Sequence, residues 1–335
     1  MRFFASADFM VQSRPSGLIG NRKHKQYYWT KGVRAHMESI LITGSNGVLG
    51  TKLIQAAIGN FDVIATDLQA APLNACLGSF TYASMDVTDE HQVEGIFQKF
   101  SPAIVIHAGA YTDVDGAEKN RDLCYSINVT GTQNVAKACK GKLVYISTDY
   151  VFDGTAGPYG EEDPIHTLGW YGETKYQGEQ VVLNYTEKAL ICRTSTLYGF
   201  APHITRYNFV GWLIRQLEQC KPVKVATDQY VNHTAADDLA RVLLDLLAFG
   251  LDGVFHAAGE DRLSRFEFAL RVADFFNFDR SLILPVTCAE LGWTALRPLQ
   301  GGLLMDKLHG YAHMMDTSRQ LEVIKKTFPW SDPIA

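Results

Sequence analysis

Short apolar runs recur along the chain from residue 38 onward, each bounded by polar or turn-forming residues. Ser39-Ile-Leu-Ile-Thr43, Asp62-Val-Ile-Ala-Thr66, Ala103-Ile-Val-Ile-His107 and Leu143-Val-Tyr-Ile-Ser147 are rich in β-branched side chains and lack the alternation of a half-solvated strand. They predict strands covered on both faces, as in a parallel sheet. A further strand is expected just before Asp86-Val87, and another at 189–193. Between the strands the apolar spacing changes to the helical period, over 48–58, 90–100, 123–139 and 171–184. Strand–helix alternation of this length predicts an α/β fold, a doubly wound parallel sheet with right-handed crossovers. Beyond Thr194 the rhythm loosens, and helical stretches at 208–220, 236–249 and 265–276 are separated by Pro, Gly and short apolar runs. That region predicts a smaller C-terminal cap over the strand ends, where open α/β sheets bind ligands.

Composition narrows the classes. In 335 residues, 47% hydrophobic and 20% charged, there is ample material for a large core. The net charge of −5 and the lack of a basic stripe in the body argue against nucleic acid as a partner. No apolar stretch approaches the length of a membrane helix. Six scattered cysteines without a C-x-x-C pair read as reduced thiols of a cytoplasmic protein. His203, His233, His309 and His313 lack ligand spacing, so no metal site is expected. The first 36 residues hold seven basic residues and one acid, leaving a body at −11. An organelle transit segment would share that composition, but Pro15 and Gly17 interrupt an amphipathic helix. Residues 1–36 are therefore read as a disordered extension ahead of Met37.

Gly44-Ser-Asn-Gly47-Val-Leu-Gly50 follows the first strand and opens a helix. Glycines there permit a tight turn and close approach of a pyrophosphate, which the helix N-terminus attracts with unpaired N–H groups. A glycine triplet alone fits a plain structural turn equally well; the strand–turn–helix setting favours a Rossmann dinucleotide site. Its expected lining is Gly44, Asn46, Gly47, Val48 and Leu49, with Asp86 and Val87 at the adenine edge and Ala108, Gly109 and Ala110 after the fourth strand. Asp67 ends the second strand, where an acid can bind the ribose 2′-hydroxyl and repel a 2′-phosphate. NADH or NADPH is the expected cofactor, NADH favoured. On this basis 37–194 form the dinucleotide-binding domain and 195–335 the substrate-binding cap, interleaved at their boundary.

Tyr171 and Lys175 form Y-x-x-x-K, which on a helix places phenol and ammonium on one face. A phenol with a pKa near ~10 is poorly matched to neutral carbonyl chemistry, and an adjacent ammonium should lower it. Lys175 can also hold ribose hydroxyls. Thr148, at the end of the fifth predicted strand, can hydrogen-bond a substrate oxygen. Y-x-x-x-K alone is as consistent with a surface helix; the glycine loop and Ser147-Thr-Asp149 give it weight.

Together these residues resemble the short-chain dehydrogenase family and, within it, the extended branch that acts on sugar nucleotides. Four segments are similar to the dTDP-4-dehydrorhamnose reductases: Val105-Ile-His-Ala-Gly-Ala-Tyr-Thr-Asp-Val-Asp-Gly-Ala-Glu118, Ser147-Thr-Asp-Tyr-Val-Phe-Asp-Gly154, Tyr171-Gly-Glu-Thr-Lys175 with Gly178-Glu179, and Arg193-Thr-Ser-Thr-Leu-Tyr-Gly199. The resemblance implies a catalytic triad of Thr148, Tyr171 and Lys175. It also implies reduction of the 4-keto group of a deoxyhexose nucleotide, as in dTDP-L-rhamnose synthesis. A homodimer is left open. The cap departs from the family: Asp228-Gln-Tyr-Val-Asn-His-Thr234 lacks the usual Gly and Pro, and Gly301-Gly302 replace the usual Ser region. The β-subunit of methionine adenosyltransferase resembles this branch too, which keeps a non-catalytic regulatory subunit open. A sugar-nucleotide dehydratase or epimerase is the remaining alternative.

Overall fold

Seven strands form one parallel sheet: β1 (Ser39–Thr43), β2 (Asp62–Asp67), β3 (Thr81–Ser84), β4 (Ile104–His107), β5 (Lys142–Thr148), β6 (Ala189–Thr194) and β7 (Gly253–His256). Their order across the sheet is β7-β6-β5-β4-β1-β2-β3, and every pair runs parallel. The structure, a computed structural model, describes residues 37–201, 203 and 208–328. The expectation for residues 1–36 lies outside the described residues.

The continuous apolar runs have the predicted cause. Ile40, Leu41 and Ile42 of β1 are wholly buried, because helices cover both sheet faces. Each such side chain contributes roughly 1.5–3 kcal/mol on leaving water. The flanking helices are α1 (Val48–Ala57), α2 (Glu90–Phe100), α3 (Arg121–Tyr125), α4 (Thr132–Ala138) and α5 (Gly169–Tyr185). The helix expected over 123–139 is broken into α3 and α4 by a π-turn at Ser126–Gly131. Asn128 in that turn donates to Thr174 Oγ1 at 3.1 Å, tying it to α5. The chain leaves β1 towards β2 and β3, then crosses back to β4 on the other side. Sheet order therefore reverses between β1 and β4, and the crevice above that point is where such sheets take ligands.

Beyond residue 194 lie α6 (Phe209–Glu218), α7 (Ala236–Ala248) and α8 (Arg265–Phe276). Parts of this region return to the first half, among them 303–314, whose Leu303, Met305 and Leu308 join the main core. β7 extends the main sheet beside β6, and α7 packs on α1, where Lys52 meets Asp237 at 3.0 Å. The rest has its own core, in which Val210, Leu213, Phe268 and Val272 join Leu321 and Ile324. The short strands Val223–Ala226 and Ile283–Val286 pair there in parallel. Phe275, Phe276 and Phe278 pack in that core.

Candidate active site

The glycine loop sits at the sheet's switch point. Gly44 adopts φ +64°, and a Cβ there would lie 2.7 Å from the Gly109 backbone, so only glycine lets the loops after β1 and β4 touch. Gly47 is the N-cap of α1, with no side-chain cap and no acid in the first turn. The first N–H groups of α1 are thus left for an anion. Val48 and Leu49 follow, but the Leu49 side chain is in the core, so only its backbone is available to a ligand. Asn46 N donates to Asp67 Oδ2 and Leu68 N to Asp67 Oδ1, both at 2.8 Å, which fixes the Asp67 carboxylate beside the loop. The Asn46 side chain is turned to Gln69 and the Leu73 N–H.

Ala108, Gly109 and Ala110 lie at the end of β4, where Gly109 N donates to Thr43 Oγ1 at 3.1 Å. Asp86 and Val87 are farther out, after β3. Asp86 Oδ1 accepts from Thr88, and Val87 O accepts from Asn134 Nδ2. Their own side-chain chemistry is therefore local. His107 is buried among hydroxyls, facing Thr43 Oγ1 at 2.7 Å and Thr132 Oγ1 at 3.2 Å, and burial lowers its imidazole to about 3. It is a satisfied packing residue.

Thr148, Tyr171 and Lys175 come together at the carboxyl end of β5. Thr148 closes the strand and accepts from Tyr150 N at 3.2 Å, capping a short turn at Asp149–Val151. Tyr171 and Lys175 stand one turn apart on α5. Gly172 brings this helix close: a Cβ there would lie 2.2 Å from the Tyr150 carbonyl oxygen. The ring of Tyr150 meets that of Tyr171 edge-on at 5.5 Å. Lys175 is buried, its ammonium 4.0 Å from the centre of the Tyr145 ring.

The electrostatics differ from expectation in one respect. Burial pushes the Tyr171 phenol above its ordinary value; a Thr148 hydrogen bond favours phenolate, while Asp149 and Tyr150 oppose it. Burial also drops the Lys175 ammonium to about 7, against the pull of Glu179. Burial of the phenol itself is the largest influence on Tyr171. In the protein alone, Tyr171 therefore carries its proton, the form required of a proton donor.

Behind this group lie two buried acids. Glu179, one turn beyond Lys175, accepts from Arg193 Nε at 2.9 Å and Arg193 Nη2 at 2.8 Å, and from Ser147 Oγ at 2.5 Å. Asp149 Oδ2 accepts from Ser195 Oγ at 2.5 Å, and Thr148 Oγ1 is 3.3 Å from Asp149 Oδ1. Burial lifts the Asp149 carboxyl to about 6, although both hydroxyls favour its charged form.

The cap supplies residues that sequence reasoning did not assign. Arg265 donates to Gln229 Oε1 at 2.6 Å, and Arg297 donates to Asp115 Oδ2 at 2.7 Å. Both guanidinium groups lie within 6 Å of the Trp293 ring, at 5.7 and 5.0 Å. Arg265 and Trp293 line a cavity of about 380 Å³ with Phe209, Trp212 and Leu291. Two cations and a half-buried indole beside a cavity suit a ligand with a planar ring and negative charge. The Asp-Gln pair at 228–229 was the available signal, since Gln229 holds Arg265. Glu161 accepts from His256 N at 3.0 Å and so tethers the end of β7.

The family described as RmlD substrate binding domain matches residues 37–325. The dTDP-4-dehydrorhamnose reductase of Aggregatibacter actinomycetemcomitans is 32% identical over 289 residues, covering 81% of this chain and 92% of its own. The methionine adenosyltransferase 2 subunit beta of Xenopus laevis is 31% identical over 278 residues, 80% of each chain. The crystal structure of a dTDP-4-dehydrorhamnose reductase from Bacillus anthracis in complex with NADP has a TM-score of 0.77 at 35% identity, covering 86% of this chain and 98% of that one.

Proposed function

Because the chain belongs to the RmlD substrate-binding-domain family, we propose that it is an oxidoreductase that reduces the 4-keto group of a deoxyhexose nucleotide, as in dTDP-L-rhamnose synthesis. The observation that most supports this reading is the convergence of Thr148, Tyr171 and Lys175 at the strand end, next to the glycine loop. The open N-terminus of α1 and the fixed Asp67 carboxylate fit a dinucleotide: Gly44, Gly47 and Val48 would hold the pyrophosphate, Asp67 the adenosine ribose and Lys175 the second ribose. When bound, reduced nicotinamide dinucleotide supplies the hydride for the carbonyl carbon. NADH is favoured over NADPH, because Asp67 repels a 2′-phosphate and 68–74 contain no Arg or Lys.

In this reading Thr148 polarises the carbonyl oxygen, and Tyr171 protonates it as negative charge develops. Arg265, Arg297 and Trp293 suit the nucleotide part of the substrate, and residues 195–335 serve as its cap, interleaved with 37–194 through β7 and α7. Exposed Leu123, Tyr125, Leu183 and Tyr185 on α3 and α5 favour a homodimer. No helix among the described residues is long and apolar enough to cross a membrane. Six free cysteines fit a reducing compartment, and we place the enzyme in the cytoplasm.

A second reading, a regulatory subunit, is favoured by the likeness to relatives named methionine adenosyltransferase 2 subunit beta. The two separate on turnover: a panel of 4-keto sugar nucleotides with NADH and NADPH should show oxidation of the cofactor. Tight cofactor binding without turnover on any of them would support the regulator.

A further inference from the structure

We infer that Asp149 is a proton store that reloads Tyr171 through the Thr148 hydroxyl, so that Asp149, Thr148 and Tyr171 form a buried relay. Thr148 has one hydroxyl proton and two neighbours that seek it: Asp149 Oδ1 at 3.3 Å and the Tyr171 oxygen, whose charged form it supports. One of its two lone pairs is engaged by Tyr150 N at 3.2 Å, which leaves the other for a donor. With Asp149 ionised, the proton is drawn away from Tyr171. With Asp149 protonated, the carboxyl donates to Thr148 and Thr148 donates to Tyr171, which satisfies all three groups.

The surroundings permit that protonated form. Asp149 is 2% exposed. The groups acting on it are the hydroxyls of Ser195, after β6, and Thr148, with Arg265 from α8 as a weaker and more distant cation; Tyr171 and Tyr150 face it from α5 and from its own turn. Burial outweighs these and leaves the carboxyl titrating at about 6. Ser195 Oγ, 2.5 Å from Oδ2, fixes the carboxyl so that Oδ1 faces Thr148.

The relay moves protons only. The Tyr171 O–H bond breaks as its proton joins the oxygen of the reduced carbonyl. Once Tyr171 has protonated the substrate oxygen, the Thr148 hydroxyl no longer polarises it and turns to the phenolate; its proton passes to the phenolate oxygen, and the Asp149 proton passes to the Thr148 oxygen. The product hydroxyl has gained one proton, and Asp149 remains as carboxylate until water reprotonates it. Asp149 and Ser195 are thus positioning residues that act through Thr148.

The last step rests on the proposed reductase reading, so the test has two arms. Infrared difference spectra of the full chain without substrate, from about pH 4 to about pH 8, read the protonated carboxyl directly. A carboxyl band should vanish with a midpoint of about 6. Asp149→Asn, which keeps the shape and an acceptor oxygen, should abolish that band. Ser195→Ala removes a donor that stabilises the carboxylate and should move the midpoint up by about one unit. In the second arm, wild-type turnover should fall as pH rises through the same midpoint. Asp149→Asn should turn over about tenfold or more slowly with that inflection gone. Absence of the band in the wild type, or an unchanged inflection in Asp149→Asn, overturns the relay. If Asp149→Asn does not fold, Ser195→Ala decides, and unmoved midpoints there overturn it as well. A wild type inactive at every pH defeats the reductase reading instead, while the infrared arm still decides whether Asp149 stores a proton.

Discussion

Replacing Glu179 by Gln tests how the buried ion pair supports the site. Glu179 and Arg193 are 1% and 5% exposed, so neither charge is solvated once its partner is gone. Both carboxylate oxygens are used, accepting Arg193 Nε and Nη2, and Oε1 also accepts from Ser147. Gln presents one acceptor and one N–H group, so an Arg193 donor then faces a donor. Breaking a buried pair by removing one partner costs about 3–5 kcal/mol. One surviving acceptor puts Glu179→Gln near the low end, a loss of about 3 kcal/mol. Urea unfolding followed by tryptophan fluorescence reads this as a lower midpoint at an unchanged slope. Replacing the pair together, Glu179→Leu with Arg193→Met, removes the unpaired charge and should recover stability to within about 1 kcal/mol of wild type. Lys175 loses the acid that holds its ammonium up, so its ionisation should move further below about 7, and the alkaline side of the rate profile should retreat to lower pH. A single variant that loses less than about 1 kcal/mol, or a double variant no better than the single, would refute this reasoning.

Other perturbations separate the roles at the site. Tyr171→Phe should lower turnover by about a hundredfold or more while cofactor affinity and folding persist; near-normal turnover would remove Tyr171 as the proton donor. Asp67→Ala should narrow or reverse a preference for NADH, raising NADPH affinity by about tenfold as the repulsion of a 2′-phosphate disappears. Titration of both cofactors against both proteins reads it, and a wild type that prefers NADPH would show that Asp67 acts elsewhere.

Much of this was legible because it is local in the chain. β1, β4 and β5 follow from unbroken apolar runs, since a strand covered on both faces has no polar side to show. Gly44 and the Tyr171–Lys175 spacing carry their geometry in a few residues. What escaped depends on contacts across long separations. Asp149 and Ser195 are 46 residues apart, and Arg297 and Asp115 are 182 apart, distances over which periodicity carries no signal. β7 was missed because Gly253-Val-Phe-His256 is short and gains strand character only by pairing with β6. The π-turn at Ser126–Gly131 was invisible for a related reason: its apolar spacing still reads as one helix, and Asn128 shapes it by bonding Tyr111 and Thr174. The expected lowering of Tyr171 by Lys175 is overridden because spacing reports proximity but not burial, and burial of the phenol raises it.

The central claim is carbonyl reduction, as opposed to elimination or regulation. The resemblance to the extended branch implies a Thr-Asp-Glu run after the fifth strand in its dehydratases, where this chain has Thr148-Asp149-Tyr150. A phenol buried beside Arg265 and Arg297, with its pKa raised, is no substitute for the ionised carboxylate that removes a C5 proton. The direct measurement incubates the full chain with NADH and a dTDP-4-keto-6-deoxyhexose, following cofactor absorbance and product mass together. The account predicts stoichiometric oxidation of NADH and a product two hydrogens heavier than the substrate. Elimination of water from a dTDP-hexose without net cofactor consumption would contradict it.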